Sequence, residues 1–235
     1  MRSFQFFLNL LNLQHKFYKK GDQNMTQIKR IITGRIEENC YVIHQEAKAV
    51  IVDPGDDFSA IKEELEELNV TPTAILLTHT HYDHIGALEE VRKRYSVPVY
   101  VSDLEQAWLG NPILNLSIHS GHPITAEPAE YEFELGKTYA IEGFQFKVVP
   151  TPGHSPGGVS FVFDDFAVSG DALFKGSVGR TDLTGSDPAA LLKGIEEQLF
   201  NLPDNMRVYP GHGDETTIGR ERKYNPYLNS LRARY

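Results

Sequence analysis

Cysteine is almost absent from this chain. Cys40 is the only one in 235 residues, so no intrachain disulfide can form and the fold cannot depend on an oxidising compartment. The expected location is therefore cytoplasmic. Positive charge is also scarce: 23 Lys and Arg stand against 32 Asp and Glu, a net charge of −9, which argues against a surface that tracks nucleic-acid phosphates. Long apolar runs are missing too. The stretch from Phe4 to Leu13 is interrupted by Gln5, Asn9 and Asn12, whereas a membrane-spanning helix needs about 20 apolar residues. His15, Lys16, Phe17 and Tyr18 follow it where a secretory signal would place small residues, so neither membrane insertion nor export is expected.

What remains is an ordinary globular balance, 40% hydrophobic and 23% charged, with a length that suits one large domain. The first 24 residues stand apart in charge: Arg2, Lys16, Lys19 and Lys20 against Asp22 leave that segment at +3 and the rest at −12. Residues 1–24 read as an N-terminal extension, with Met25 a candidate true initiator, and residues 25–235 as the functional domain. N-terminal sequencing of the native protein checks this.

Alternating strand and helix signals begin at Ile28. Ile28 to Thr33, Cys40 to His44 and Ala49 to Val52 are β-branched runs separated by Gly34, Asn39 and the Asp53-Pro54-Gly55 turn. Phe58, Ile61, Leu65 and Leu68 recur at helical spacing above the acidic face of Glu63, Glu64, Glu66 and Glu67. A strand over 74–77, a helix over 85–95 and a strand over 97–101 make a β-α-β unit. Strands over 139–141, 144–149, 159–163 and 166–169 form a second meander, followed by a helix over 188–200 and a strand over 207–209. Two sets of strands, each with helices, predict an α/β sandwich of four layers, αββα.

The chemistry gathers where strands end. Thr78-His79-Thr80-His81-Tyr82-Asp83-His84 places three imidazoles and a carboxylate directly after a buried strand. His154, Asp171 and His212 each follow another strand-like run and sit among glycines, which allow a crowded centre to be approached closely. Imidazole and carboxylate are the usual ligands of zinc and other borderline divalent ions, and burying so many ionisable groups without a metal would be costly. His44, His119, His122 and His15 are not needed and read as polar surface.

These motifs, Asp53-Pro54-Gly55, His79-x-His81-x-Asp83-His84, Gly153-His154, Gly170-Asp171 and Gly211-His212, resemble those of the metallo-β-lactamase superfamily. Within it they are most similar to short glyoxalase II-like, hydroxyacylglutathione hydrolase-like enzymes. The resemblance runs from about Ile28 to Asn225-Pro226. It implies that His79, His81 and His154 hold one divalent metal, that Asp83, His84 and His212 hold a second, and that Asp171 bridges the two. Zinc is the expected metal, with iron or manganese as alternatives. It further implies that a metal-bound hydroxide attacks the carbonyl of a small-molecule thioester such as S-lactoylglutathione, that Asp83 steers a proton, and that Asp53 orients a ligand loop.

The resemblance disfavours β-lactam hydrolysis of the kind that uses a cysteine at the second metal, because Asp171 stands at that place and Cys40 is remote in sequence. A persulfide dioxygenase with one iron held by His79, His154 and Asp171 is the alternative on the same scaffold. Only 23 residues follow His212, too few for a large helical thiol-binding segment. The loop after Asp171 therefore supplies the candidate substrate residues: Phe174 for the thioester, Lys175 and Arg180 for a carboxylate. Tyr224 and Asn225 are candidates to close the pocket, and Trp108, Leu109, Pro112, Ile113 and Leu114 for an apolar wall.

Overall fold

The computed structural model describes residues 26–232, so the extension over 1–24 and Met25 lie outside the described residues. Strands β1 (Gln27–Thr33), β2 (Glu38–Gln45) and β3 (Lys48–Val52) pair antiparallel in chain order. Strands β4 (Thr71–Leu76), β5 (Val99–Val101) and β6 (Tyr131–Glu132) then add in parallel, completing a six-stranded sheet. The second sheet contains β7 (Thr138–Ile141), β8 (Phe144–Pro150), β9 (Val159–Val162), β10 (Phe166–Gly170), β13 (Arg207–Pro210) and β14 (Thr216–Thr217). Its spatial order is β14-β13-β10-β9-β8-β7, with β10 and β13 parallel. A separate hairpin, β11 (Leu173–Phe174) with β12 (Ser177–Val178), stands beside it.

The four layers follow from the period of a strand, whose successive side chains point to opposite faces. Tyr41, Ile43, Val50, Val52 and Leu76 meet Phe144, Phe146, Val148, Phe161 and Val168 in the core between the sheets. Their neighbours Cys40, Val42, Ala49, Ile51 and Ile75 face the other way. There they pack with Ile61 and Leu65 of α1 (Phe58–Glu67) and with Leu88 and Val91 of a later helix. Val149 and Val208 leave the second sheet on its outer side, against Leu191 and Leu192 of a helix beginning at Pro188. Strands apolar on both faces must be covered on both faces, and the αββα sandwich does this.

The sequence expectation over 85–95 is corrected in detail. The segment forms a short α2 (Tyr82–Ile85) and then α3 (Leu88–Tyr95), separated at Gly86. A Cβ at Gly86 would stand 2.1 Å from the carbonyl oxygen of Gly55, so the Asp53-Pro54-Gly55 turn passes too close for any other residue. The helix α4 (Asp103–Leu109) was not legible from apolar spacing. The helix expected over 188–200 is α5 (Pro188–Gly194), continued by a π-turn over Ile195–Leu199. Asp187 caps α5 by accepting from the amides of Ala189 and Ala190, with Pro188 at the first helical position. Two further helices, α6 (Ile218–Tyr224) and α7 (Pro226–Arg232), close the described chain. No helix among the described residues is long and apolar enough to cross a membrane.

Candidate metal centre

Four strand ends converge on one place. His79 and His81 follow β4 of the first sheet, whereas His154, Asp171 and His212 follow β8, β10 and β13 of the second. The two sheets are stitched together there: the Val159 amide donates to the Thr78 carbonyl at 2.9 Å, and the Asn39 amide of β2 to the Gly211 carbonyl at 2.7 Å. Gly211 has no room for a side chain, since a Cβ would lie 2.1 Å from Asp171 Oδ1.

The potential donor atoms fall into groups within 4.8 Å of one another: His79 with His81 and His154, His79 with His84 and Asp171, and Asp83 with His84 and His212. His81 Nδ1 lies 2.9 Å from His154 Nε2. Asp83 Oδ2 lies 3.1 Å from His212 Nε2 and 3.5 Å from His84 Nε2. Asp171 stands between the groups. Its Oδ1 is 3.5 Å from His84 Nε2, and its Oδ2 is 3.4 Å from His154 Nε2 and 3.6 Å from His212 Nε2. All seven residues nominated from the sequence thus share one cluster, arranged as two groups with Asp171 touching both.

The outward-facing nitrogens of the imidazoles are mostly engaged. His79 Nδ1 lies 3.1 Å from Thr78 Oγ1, His84 Nδ1 3.1 Å from Asp53 Oδ2, His154 Nδ1 2.9 Å from the Arg180 carbonyl, and His212 Nδ1 3.2 Å from the Ile36 carbonyl. Each contact orients a ring so that its Nε2 faces the cluster. Inside it, His79 Nε2, His84 Nε2 and Asp171 Oδ1 are buried without any hydrogen-bond partner. Orphaned buried donors and acceptors are rare and costly, and inward lone pairs from imidazole and carboxylate are the donor set that divalent metals take. The residues present fit a pair of metal ions.

Electrostatics divides the cluster. Burial pushes His79 well below the usual imidazole range, reinforced by the neighbouring imidazoles, and lowers His81 to about 3, reinforced by His154. Burial acts in the same direction on His84, but the carboxylates of Asp83 and Asp171 overcome it and hold that ring well above the usual range. Burial would raise Asp171, yet His84, His154 and His212 hold its carboxyl well below the usual value. The metal-free protein should accordingly lose stability on acidification. Between pH about 6.5 and 3 the unfolded state protonates His81 and the folded state does not, so stability falls as pH falls. His79 adds to this slope, whereas the raised His84 and His212 oppose it only above pH about 6.5, where the unfolded rings lose their protons. Urea unfolding in the presence of chelator should show a lower midpoint at pH 5 than at pH 7, and an equal or higher midpoint would contradict it.

Asp53 lies behind the cluster. Its Oδ1 accepts from the Thr78 amide at 2.7 Å, and its Oδ2 accepts from Thr78 Oγ1 at 2.6 Å and contacts His84 at 3.1 Å. It thereby holds the start of the His79-x-His81 loop and one imidazole at once. Asp53→Ala should weaken metal affinity by about 10- to 100-fold, measurable by chelator competition.

Two other buried carboxylates escaped sequence reasoning. Glu105, in α4, accepts from the amide and hydroxyl of Thr80 at 3.1 and 2.7 Å and from the Gly157 amide at 2.9 Å, tying the loop of His79 and His81 to that of His154. Glu38 sits behind His84, its Oε2 accepting from Thr33 Oγ1 at 2.6 Å, and burial pushes its carboxyl well above the usual range. Both stand in polar stretches that read as solvated surface, and no local pattern marks them.

A cavity of about 310 Å³ opens on the cluster, lined by His81, Asp83, His154, Asp171 and His212 together with Leu116, Phe174, Val178, Arg180 and Leu183. Phe174 and Arg180 therefore reach the expected pocket. Lys175 does not line it; its Nζ pairs with Asp214 at 3.1 Å. Tyr224 and Asn225 are also outside it. Tyr224 is exposed, and Asn225 is buried, its Nδ2 donating to the Ser177 carbonyl and to Glu221. Of the expected apolar wall, Trp108 and Leu109 are buried and Ile113 is exposed; Leu116 is the residue that lines the cavity.

A family model described as the Metallo-beta-lactamase superfamily matches residues 33–212. The chain belongs to that superfamily. It is 45% identical over 212 residues to the probable metallo-hydrolase M6_Spy0554 of Streptococcus pyogenes, covering 87% of this chain and 91% of that protein. It is 34% identical to the hydroxyacylglutathione hydrolase GloC of Haemophilus influenzae, covering 86% and 98%. Among solved structures it resembles the BLEG-1 B3 metallo-beta-lactamase, with a TM-score of 0.83, 45% identity and coverage of 86% and 99%. It also resembles TTHA1623 in a di-iron-bound form, with a TM-score of 0.76, 36% identity and coverage of 85% and 99%. ETHE1 from Myxococcus xanthus follows at a TM-score of 0.70, 27% identity and coverage of 87% and 85%. This superfamily member is thus a metallo-hydrolase by kinship, with an αββα fold and candidate metal-binding His and Asp clusters.

Proposed function

We propose that the protein is a binuclear metal-dependent hydrolase that cleaves a small acyl thioester such as S-lactoylglutathione. The observation that carries this reading is Asp171: one carboxylate in contact with His84 on one side and His154 on the other, with complete ligand sets around both. His79, His81 and His154 would hold one ion, Asp83, His84 and His212 the other, and Asp171 both. When bound, two divalent ions, most simply zinc, supply water with a pKa near neutrality and polarise the carbonyl. Asp83, facing the cavity floor, is placed to accept a proton as the nucleophile attacks. Phe174, Val178, Leu116 and Leu183 give the cavity apolar walls that exclude water from the thioester. The leaving thiolate needs little protonation, so no further acid is required.

The likeness to GloC supports a thioester, and the likeness to TTHA1623 supports a two-metal centre in which iron is an alternative to zinc. Two other readings have an observation behind them. The likeness to BLEG-1 keeps lactam hydrolysis in view even though Asp171 stands where some lactamases use cysteine. The likeness to ETHE1 supports the persulfide dioxygenase alternative, which needs a single iron. One metal-quantified preparation separates the three. About two metals per chain with oxygen-independent cleavage of S-lactoylglutathione is expected. Faster cleavage of a chromogenic cephalosporin, or one iron with persulfide-dependent oxygen uptake, would displace the proposal.

A further inference from the structure

The hairpin of β11 and β12 links two of the candidate ligands. It leaves Asp171 through Ala172 and returns through Gly179 to Arg180, whose carbonyl meets His154 Nδ1 at 2.9 Å. On the way it carries Phe174 and Val178 into the lining of the metal-side cavity, and the Phe174 ring lies 6.1 Å from that of His212. Four residues of paired strand cannot hold such a wall unaided, since an isolated hairpin is marginal in water. The exposed pair of Lys175 with Asp214 at its tip contributes little.

Two buried side chains at the end of the chain supply the hold. Glu221 of α6 and Asn225, which joins α6 to α7, are each 1% exposed, and neither lines the cavity. Glu221 Oε2 accepts from the Gly176 amide at 2.8 Å and from Asn225 Nδ2 at 3.0 Å. Asn225 Nδ2 also donates to the Ser177 carbonyl at 2.9 Å. The hairpin turn is thus gripped through one amide and one carbonyl, by a pair whose remaining atoms are themselves fixed. Thr216 Oγ1 and Arg220 donate to Glu221 Oε1, and Asn225 Oδ1 caps α7 by accepting from the Tyr227 and Leu228 amides at 3.1 and 3.3 Å. A buried carboxylate costs stability unless its oxygens are satisfied, and here one of its partners is the turn behind Phe174.

We propose that Glu221 and Asn225 are positioning residues that set selectivity for the acyl group. By clasping the Gly176-Ser177 turn they hold Phe174 against the reacting centre, so the room left for an acyl chain is decided by two side chains outside the cavity. This assignment rests on the thioester reading and adds to it what limits the acyl group.

The test uses the full zinc-loaded chain and N-acetylcysteamine thioesters with acetyl, butyryl and hexanoyl groups. Asn225→Ser keeps a cap for α7 but is too short to reach the Ser177 carbonyl. It should raise the hexanoyl-to-acetyl ratio of kcat/KM by about 5-fold, chiefly through KM. Glu221→Ala should do the same, and Glu221→Gln, which can still accept from the Gly176 amide, should restore the wild-type ratio. With Phe174→Ala already in place, Asn225→Ser should move the ratio by less than about two-fold, because the side chain through which it acts is gone. A second measurement needs no turnover: amide exchange at Gly176 should quicken by about 10-fold in Asn225→Ser and Glu221→Ala, while exchange in β2 and β3 stays within about two-fold, which separates local release from general destabilisation. A ratio unchanged in both variants, an equal loss on all three thioesters, an undiminished effect over Phe174→Ala, or unaltered exchange at Gly176 would overturn the assignment. Quickened exchange at Gly176 in a protein that cleaves no thioester would uphold the clasp and reject the thioester reading instead.

Discussion

Asp171→Ala should lower thioester hydrolysis on the order of 10³-fold or more and release metal from both groups. Asp171 touches imidazoles of both groups, His154 of the first through Oδ2, and His84 and His212 of the second through Oδ1 and Oδ2. On the two-metal reading, removing it would take a negative charge from between two neighbouring dications, whose mutual repulsion would no longer be offset. Asp171→Asn separates charge from shape: it keeps the volume and should still fall far below the wild type. Metal content after dialysis and initial rates on S-lactoylglutathione measure the effect, while thermal unfolding of the metal-free chains verifies that the fold persists. Two metals retained per chain at an undiminished rate would remove Asp171 from the bridging role.

Glu105→Ala should destabilise the protein by about 3–5 kcal/mol, although Glu105 touches none of the seven candidate ligands. Three buried donors, the Thr80 amide and hydroxyl and the Gly157 amide, would lose their acceptor together. For a chain of this length that corresponds to a fall in Tm of roughly 10 °C. The same change should loosen His81 relative to His154, whose nitrogens now lie 2.9 Å apart, and so reduce metal affinity as well. Glu105→Gln, which keeps acceptor oxygen but loses charge, should lie between the two. Calorimetric scans of metal-free protein measure the stability change, and a Tm within 2 °C of wild type would show that the loop contacts are dispensable.

The metal cluster was legible because its information is local. His79, His81, Asp83 and His84 lie within six positions at the end of an apolar run, and each remaining residue sits at a glycine-bordered strand end. The alternation of Tyr41 and Ile43 with Cys40 and Val42 likewise carries the two buried faces of a strand in its own period. The helix over 85–95 was misdrawn because it is interrupted at Gly86-Ala87, where the Ala87 amide donates to the Pro54 carbonyl at 3.0 Å, a partner brought close only by folding. Lys175 and Arg180 looked alike as loop cations, yet one pairs with Asp214 outside the cavity and the other reaches its rim.

From its residues alone, the chain's αββα layering and its seven-residue metal-compatible cluster could be read, since periodicity and motif spacing are properties of neighbours along the backbone. Tertiary structure alone decided which buried carboxylates hold the ligand loops, and that Glu221 and Asn225 stand behind the hairpin bearing Phe174. Glu105 and Gly157 are 52 positions apart and Glu38 and His84 are 46 apart, so their partnership depends on how the strand ends are brought together in space.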